Sequence, residues 1–269
     1  MKDIFDIKRF GKYFLSEIKS AGANFGLSLA LLSFMEVIVY LFAGLFSLMN
    51  SGQWDGTGIP LRSTTFCLCL FVMVISMPVK CYGHLTDLRS GSTWLMVPAS
   101  TLEKFLSMVL ITAVLIPAVL IGAYFCTDSI ICAIDSSCGD SFIKILSDIP
   151  GYLNEIPDAS AASFLTKVTS PWMYIDDSIG SILIFVLGAI CFKKNKSAKT
   201  ILTLIVISMA ASMFMTPFTL RIITDANDPM SLMDSPIIRN YATWDMISDI
   251  VIVSGMMVAI YFRIKTLKH

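Results

Sequence analysis

Glu36 is the one ionisable residue deep inside a long apolar run, Leu27–Met49, and it is the first place where this chain could do chemistry. A carboxylate at the centre of such a run costs at least ~2.5–3.5 kcal/mol on insertion scales. Glu36 is therefore expected to face other helices or a wet cavity, with a proton or a hydrogen bond to satisfy it. Two readings follow. It contacts a substrate or couples the movement of neighbouring helices, or it makes a structural hydrogen bond to Tyr40 one turn on, or to a hydroxyl such as Thr112 or Ser208.

Other reactive residue types carry no catalytic pattern. The two histidines, His84 and His269, belong to no HExxH and no Cys/His cluster, and His84 beside Asp87 reads as a solvated loop residue. There is no G-x-x-x-x-G-K-[ST] to cradle phosphates and no G-x-S-x-G to expose a nucleophile. Seven cysteines lack metal spacing. Cys67, Cys69, Cys81 and Cys191 sit in or beside apolar runs, where a thiol packs as a small hydrophobe. Cys126, Cys132 and Cys138 fall at the outer end of an apolar run and in the loop after it; two of them could form a disulfide in an oxidising compartment, and unpaired packing is the favoured reading. No catalytic, cofactor-binding or metal-binding residue is expected, and the chain reads as a non-enzyme.

The elements that position Glu36 follow from composition. Over 269 residues the hydrophobic share is 55 %, charged residues are 15 % and the mean hydropathy is +0.75, far from a soluble domain. The net charge of zero hides a segregation. Most Lys and Arg fall in four clusters: Lys2–Lys19; Lys80, Arg89 and Lys104; Lys193, Lys194, Lys196 and Lys199; and Arg263, Lys265 and Lys268. Lys and Arg resist translocation, so these clusters mark the cytoplasmic side and place both termini there. They are short and scattered by topology, which argues against nucleic acid.

A helix rises about 1.5 Å per residue, so crossing a hydrocarbon core about 30 Å thick takes roughly 20 apolar residues. Six stretches qualify: 27–49, 63–79, 105–126, 174–192, 200–223 and 246–264. Pro78, Pro117 and Pro217 predict bends, and Met209, Met213 and Met215 an adaptable apolar surface. The expected fold is all-α: a polytopic membrane protein of six transmembrane helices over 27–264, preceded by an amphipathic segment, 1–26, and followed by a cytoplasmic tail, 265–269. In the first segment Ile4, Phe5, Ile7, Phe10, Tyr13, Phe14 and Ile18 recur at helical spacing among Lys8, Arg9, Lys12, Glu17 and Lys19. That pattern fits a helix on the inner membrane surface, with an N-terminal extension of span one as the alternative. Outside, Phe142 and the apolar residues after it predict short helices across the outer mouth.

The inner loop between spans two and three carries Asp87, Arg89, Trp94, Leu95, Met96, Glu103 and Lys104. Ser100 followed by Glu103 spells a capping box leading into span three. An exposed mixture of apolar bulk and charge there suits a protein partner; the other reading folds the loop onto the bilayer with Trp94 at the interface.

Three features together make the chain resemble bacterial ABC-2-type transporter permeases: the N-terminal Phe5-Asp-Ile-Lys-Arg-Phe10, six spans with both ends inside, and the inner Trp94-Leu-Met-Val-Pro-Ala-Ser-Thr-Leu-Glu-Lys-Phe105. The resemblance implies the membrane subunit of an inner-membrane exporter, with ATP bound and hydrolysed on a separate ATPase subunit and two permease halves, identical or different, in the working unit. It also implies that Asp87, Arg89, Trp94, Glu103 and Lys104 belong to the segment that touches the ATPase. In one respect the chain departs from that family: its longer outer loop follows span three rather than span five. The competing expectation is a polytopic protein that does not transport, such as an immunity, sensing or assembly factor.

Overall fold

The computed structural model describes residues 5–54, 58–86, 91, 94, 96–145, 147–148, 171–225 and 241–266. The first helix, α1 (Ile7–Ser33), opens on Asp6, whose carboxylate accepts the Lys8 N–H at 2.9 Å. It passes through Gly22 and Gly26 without a break; the interruption expected near residue 26 falls instead at Phe34. Helix α2 (Met35–Ser51) follows and ends at Gly52, whose φ of 69° is left-handed backbone that glycine adopts without a Cβ clash.

Helix α3 (Ile59–Tyr82) carries Pro60 in its first turn, where a missing N–H has no helical partner to lose, and runs into a 3₁₀ turn, Gly83–Thr86. The Ser100–Glu103 capping box is formed and starts α4 (Thr101–Val109). The chain then widens into a π-helical stretch, Leu110–Leu115, before α5 (Ile116–Ile134). Pro117 follows directly. A proline ring clashes with the carbonyl four residues back, and the wider turn, in which the Ile116 N–H reaches the Ile111 carbonyl, makes room for it. Helices α6 (Pro171–Cys191), α7 (Lys196–Asp225) and α8 (Tyr241–Thr266) complete the order. No strand occurs among the described residues.

Helix α6 is the centre of the bundle. Its Ile182, Leu183, Val186 and Ile190 are buried in one cluster with Met73 and Met77 of α3, Met108 of α4, Phe25 of α1, and Ile260 and Ile264 of α8. Helix α7 crosses α6 closely. A Cβ on Gly188 would stand 2.0 Å from Thr200 Oγ1. Only glycine admits that approach, and Asn195, at φ 50°, turns the chain tightly between the two helices.

Among the described residues, five helical stretches are long and apolar enough to cross a membrane: Ile7–Ser51, Ile59–Thr86, Thr101–Ile134, Lys196–Phe214 and Ile247–Thr266. The sixth, Ser178–Cys191 within α6, is apolar but shorter. At the edges, α2 exposes Phe42, Phe46 and Met49, and α7 exposes Leu202, Val206, Met213 and Phe214. Such surfaces suit hydrocarbon rather than water. The protein is an all-helical, membrane-embedded molecule.

Candidate functional site

Contacts between helix ends gather the basic clusters at one end of the bundle. Arg9 of α1 meets Glu103 of α4, Lys196 of α7 donates to the Gly83 carbonyl, and Phe105 of α4 packs edge-on against Tyr261 of α8 with ring centroids 5.8 Å apart. Lysines and arginines of all four clusters therefore lie near one another, although they are far apart in sequence.

At this basic end Glu103 is the hub. Its Oε1 accepts from Arg9 Nη2 at 2.7 Å and from the Asp6 N–H at 3.0 Å; its Oε2 accepts from Arg9 Nε at 2.9 Å and from the Ser100 N–H at 2.9 Å. A guanidinium gripping both carboxylate oxygens fixes direction as well as distance. Next to it, Lys104 Nζ donates to the Trp94 carbonyl at 3.0 Å and stands 4.7 Å from the centre of the Trp94 ring. Asp6 and Arg9, Trp94, and the start of α4 thereby meet in one junction.

That geometry corrects one expectation. Trp94, Glu103 and Lys104 are buried and hold the junction together; of the expected exposed patch, Met96 stands out at 81 % exposure. Asp87, Arg89 and Leu95 lie outside the described residues. The burial of Trp94 was hidden in the sequence because Tyr13 of α1, which stands beside it, lies 81 residues earlier.

The opposite end holds a buried polar cluster. Arg62, in the first turn of α3, is 1 % exposed and pairs through Nη1 with Asp128 of α5, which is 0 % exposed. Its Nη2 donates to the carbonyls of Cys138 at 2.9 Å and Asp140 at 3.0 Å, and Nη1 reaches Cys132 Sγ at 2.8 Å. Asp128 Oδ2 accepts the Phe142 N–H at 2.6 Å, and the Phe142 ring lies 5.4 Å from the guanidinium carbon. Phe142 also packs against Phe66, Tyr124 and Phe125, so the residue expected at the outer mouth covers the ion pair.

Glu36 joins this cluster. Its Oε2 lies 2.9 Å from Thr127 Oγ1, a hydroxyl partner other than Tyr40, Thr112 or Ser208. Thr127 and Asp128 come directly after expected span three and Arg62 directly before expected span two. Glu36 is thus level with the ends of its neighbours that lie away from the basic junction, rather than midway through the bundle. The cause is the uninterrupted α1, which carries the chain to that level before α2 begins. Tyr40 instead donates to Asp135 Oδ2 at 2.8 Å, beside Trp54 Nε1 at 3.2 Å. The Ser137 hydroxyl, the Tyr40 hydroxyl and the Ser137 N–H hold the Asp135 carboxyl down at about 2.

Arg62 and Asp128 are the residues that sequence reasoning missed. A signal existed: opposite charges stand at the ends of two consecutive apolar runs that must reach the same side of the membrane.

The fold and its two polar ends define a class, an all-helical membrane protein with a basic junction at one end and a buried ion pair at the other. No family model, curated protein or solved structure matches the chain.

Proposed function

We propose that this protein is the membrane-spanning permease subunit of an ABC-type exporter, working with a separate ATPase subunit. In this reading six helices cross the cytoplasmic membrane, α6 being the central one, and the basic end with both termini faces the cytoplasm. The observation that carries it is the Arg9–Glu103 junction. A force applied to the inner loop would pass through Glu103 into α4 and α5 and, through Arg9, into α1. Two spanning helices would then move as one body, which is what coupling a partner's ATP cycle to helix movement requires. Met96 is exposed in this loop and would meet the ATPase, as would Asp87 and Arg89 by the resemblance. ATP binds on the partner and not on this chain, and the working unit contains two permease halves.

The test is co-expression with the ATPase encoded beside it, followed by purification and ATP hydrolysis in lipid vesicles. The expected result is a stable complex whose hydrolysis responds to the permease, with the response lost in Glu103→Ala while the complex survives. A chain that never retains an ATPase is instead a non-transporting membrane protein.

A further inference from the structure

Glu36, Thr127 and Tyr124 form a row that is one hydrogen short. Thr127 Oγ1 stands 2.9 Å from Glu36 Oε2 and 2.8 Å from the Tyr124 carbonyl oxygen. A hydroxyl carries a single hydrogen, and an ionised carboxylate and a carbonyl are both acceptors only. With Glu36 ionised, the two acceptors must share that one hydrogen, which weakens both contacts. With Glu36 as a carboxylic acid, its O–H donates to Thr127 and the Thr127 O–H donates to Tyr124, and both contacts are satisfied.

The charges point the same way. Glu36 is 2 % exposed and its Oε1 has no hydrogen-bond partner. An ionised carboxylate with an orphan oxygen is costly at such a site, whereas a neutral acid needs only its O–H matched. The groups facing Glu36 among the described residues are Arg62 and Cys69 from α3 and Tyr124, Thr127 and Asp128 from α5. Arg62 is the single cation in that set, and Asp128 already takes its Nη1.

We propose that Glu36 is a buried proton-binding site: its carboxylate takes one proton from water to become an acid that donates to Thr127, and gives it back to water on release. Release puts a second negative charge beside Asp128 with only Arg62 to offset both, so proton loss weakens the joint between α2 and α5. The inference does not depend on the transport reading.

Infrared difference spectroscopy of the wild-type protein in lipid vesicles tests it. At neutral pH the spectrum should contain the C=O stretch of a protonated carboxylic acid that shifts in D2O and shifts again on labelling with ¹³C-glutamate. The chain has four glutamates, Glu17, Glu36, Glu103 and Glu155, so the label narrows the assignment. The band should vanish in Glu36→Gln and move in Thr127→Val, which removes the acceptor; the second variant keeps the assignment testable if the first does not fold. Absence of any glutamate acid band in the wild type, or its persistence in Glu36→Gln, overturns the proposal.

Discussion

Backbone N–H groups of Asp6 and Ser100 and the Arg9 guanidinium converge on a fully buried Glu103. Removing the acceptor strands several donors at once, whereas removing Arg9, which is partly exposed, leaves the two backbone bonds in place. Glu103→Ala should therefore lower unfolding stability in detergent by ~1.5–3 kcal/mol, and Arg9→Ala by less. Equal losses would contradict the hub. Both partners of the Arg62–Asp128 pair are buried, so breaking it leaves a cation that, unlike Arg9, cannot turn to solvent. Asp128→Asn should cost ~3–5 kcal/mol in the same assay, and Arg62→Met combined with Asp128→Leu much less. Asp135 supplies the pH dependence. Its folded value of about 2 lies below the ordinary ~3.9. A depressed carboxyl adds stability above the unfolded value and loses it as pH falls through the folded one. The midpoint of unfolding should drop between about pH 4 and pH 2 in the wild type, and Asp135→Asn should flatten that drop; an unchanged profile would show that the four contacts are not made in solution.

Helix packing makes its own demands. A Cβ on Gly188 would stand 2.0 Å from Thr200 Oγ1 and 2.7 Å from its Cγ2, so α6 and α7 can touch only while residue 188 is glycine. Gly188→Ala should destabilise by ~1–3 kcal/mol, and adding Thr200→Ala should recover part of the loss, because it removes the two nearest atoms. Simple additivity of the two changes would mean that the helices do not meet there. Element starts and stops were largely legible in the sequence where their cause is local. The Ser100–Glu103 box, which opens α4, depends on residues three positions apart. The end of α1 was not legible, since Gly22 and Gly26 look like breaks and yet stay helical while packing holds the helix together as far as Phe34. That shift of one boundary is why Glu36 sits level with Arg62.

Across the whole molecule, the sequence displays which segments are apolar but not which of them is enclosed. Helix α6, with Asp176 and Asp177 in its first turns, is the weakest spanning candidate by composition and the most central by packing. The buried pair was illegible for a related reason: Arg62 and Asp128 are 66 residues apart, and only the antiparallel run of α3 and α5 brings them together. Charge segregation is the property that organises the rest. Lysines from distant segments share one end of the bundle, while Asp128, Asp135 and Asp140 lie at the other. Lysine and arginine resist translocation during insertion, so the proposed orientation turns the basic end inward. Single cysteines placed at the exposed Lys194 and Asp140, in a chain whose seven native cysteines are replaced, read this directly. A membrane-impermeant thiol reagent applied to intact cells should modify Asp140→Cys and leave Lys194→Cys untouched until the membrane is opened. Modification of Lys194→Cys in intact cells, with Asp140→Cys spared, would contradict the orientation on which the proposed function rests.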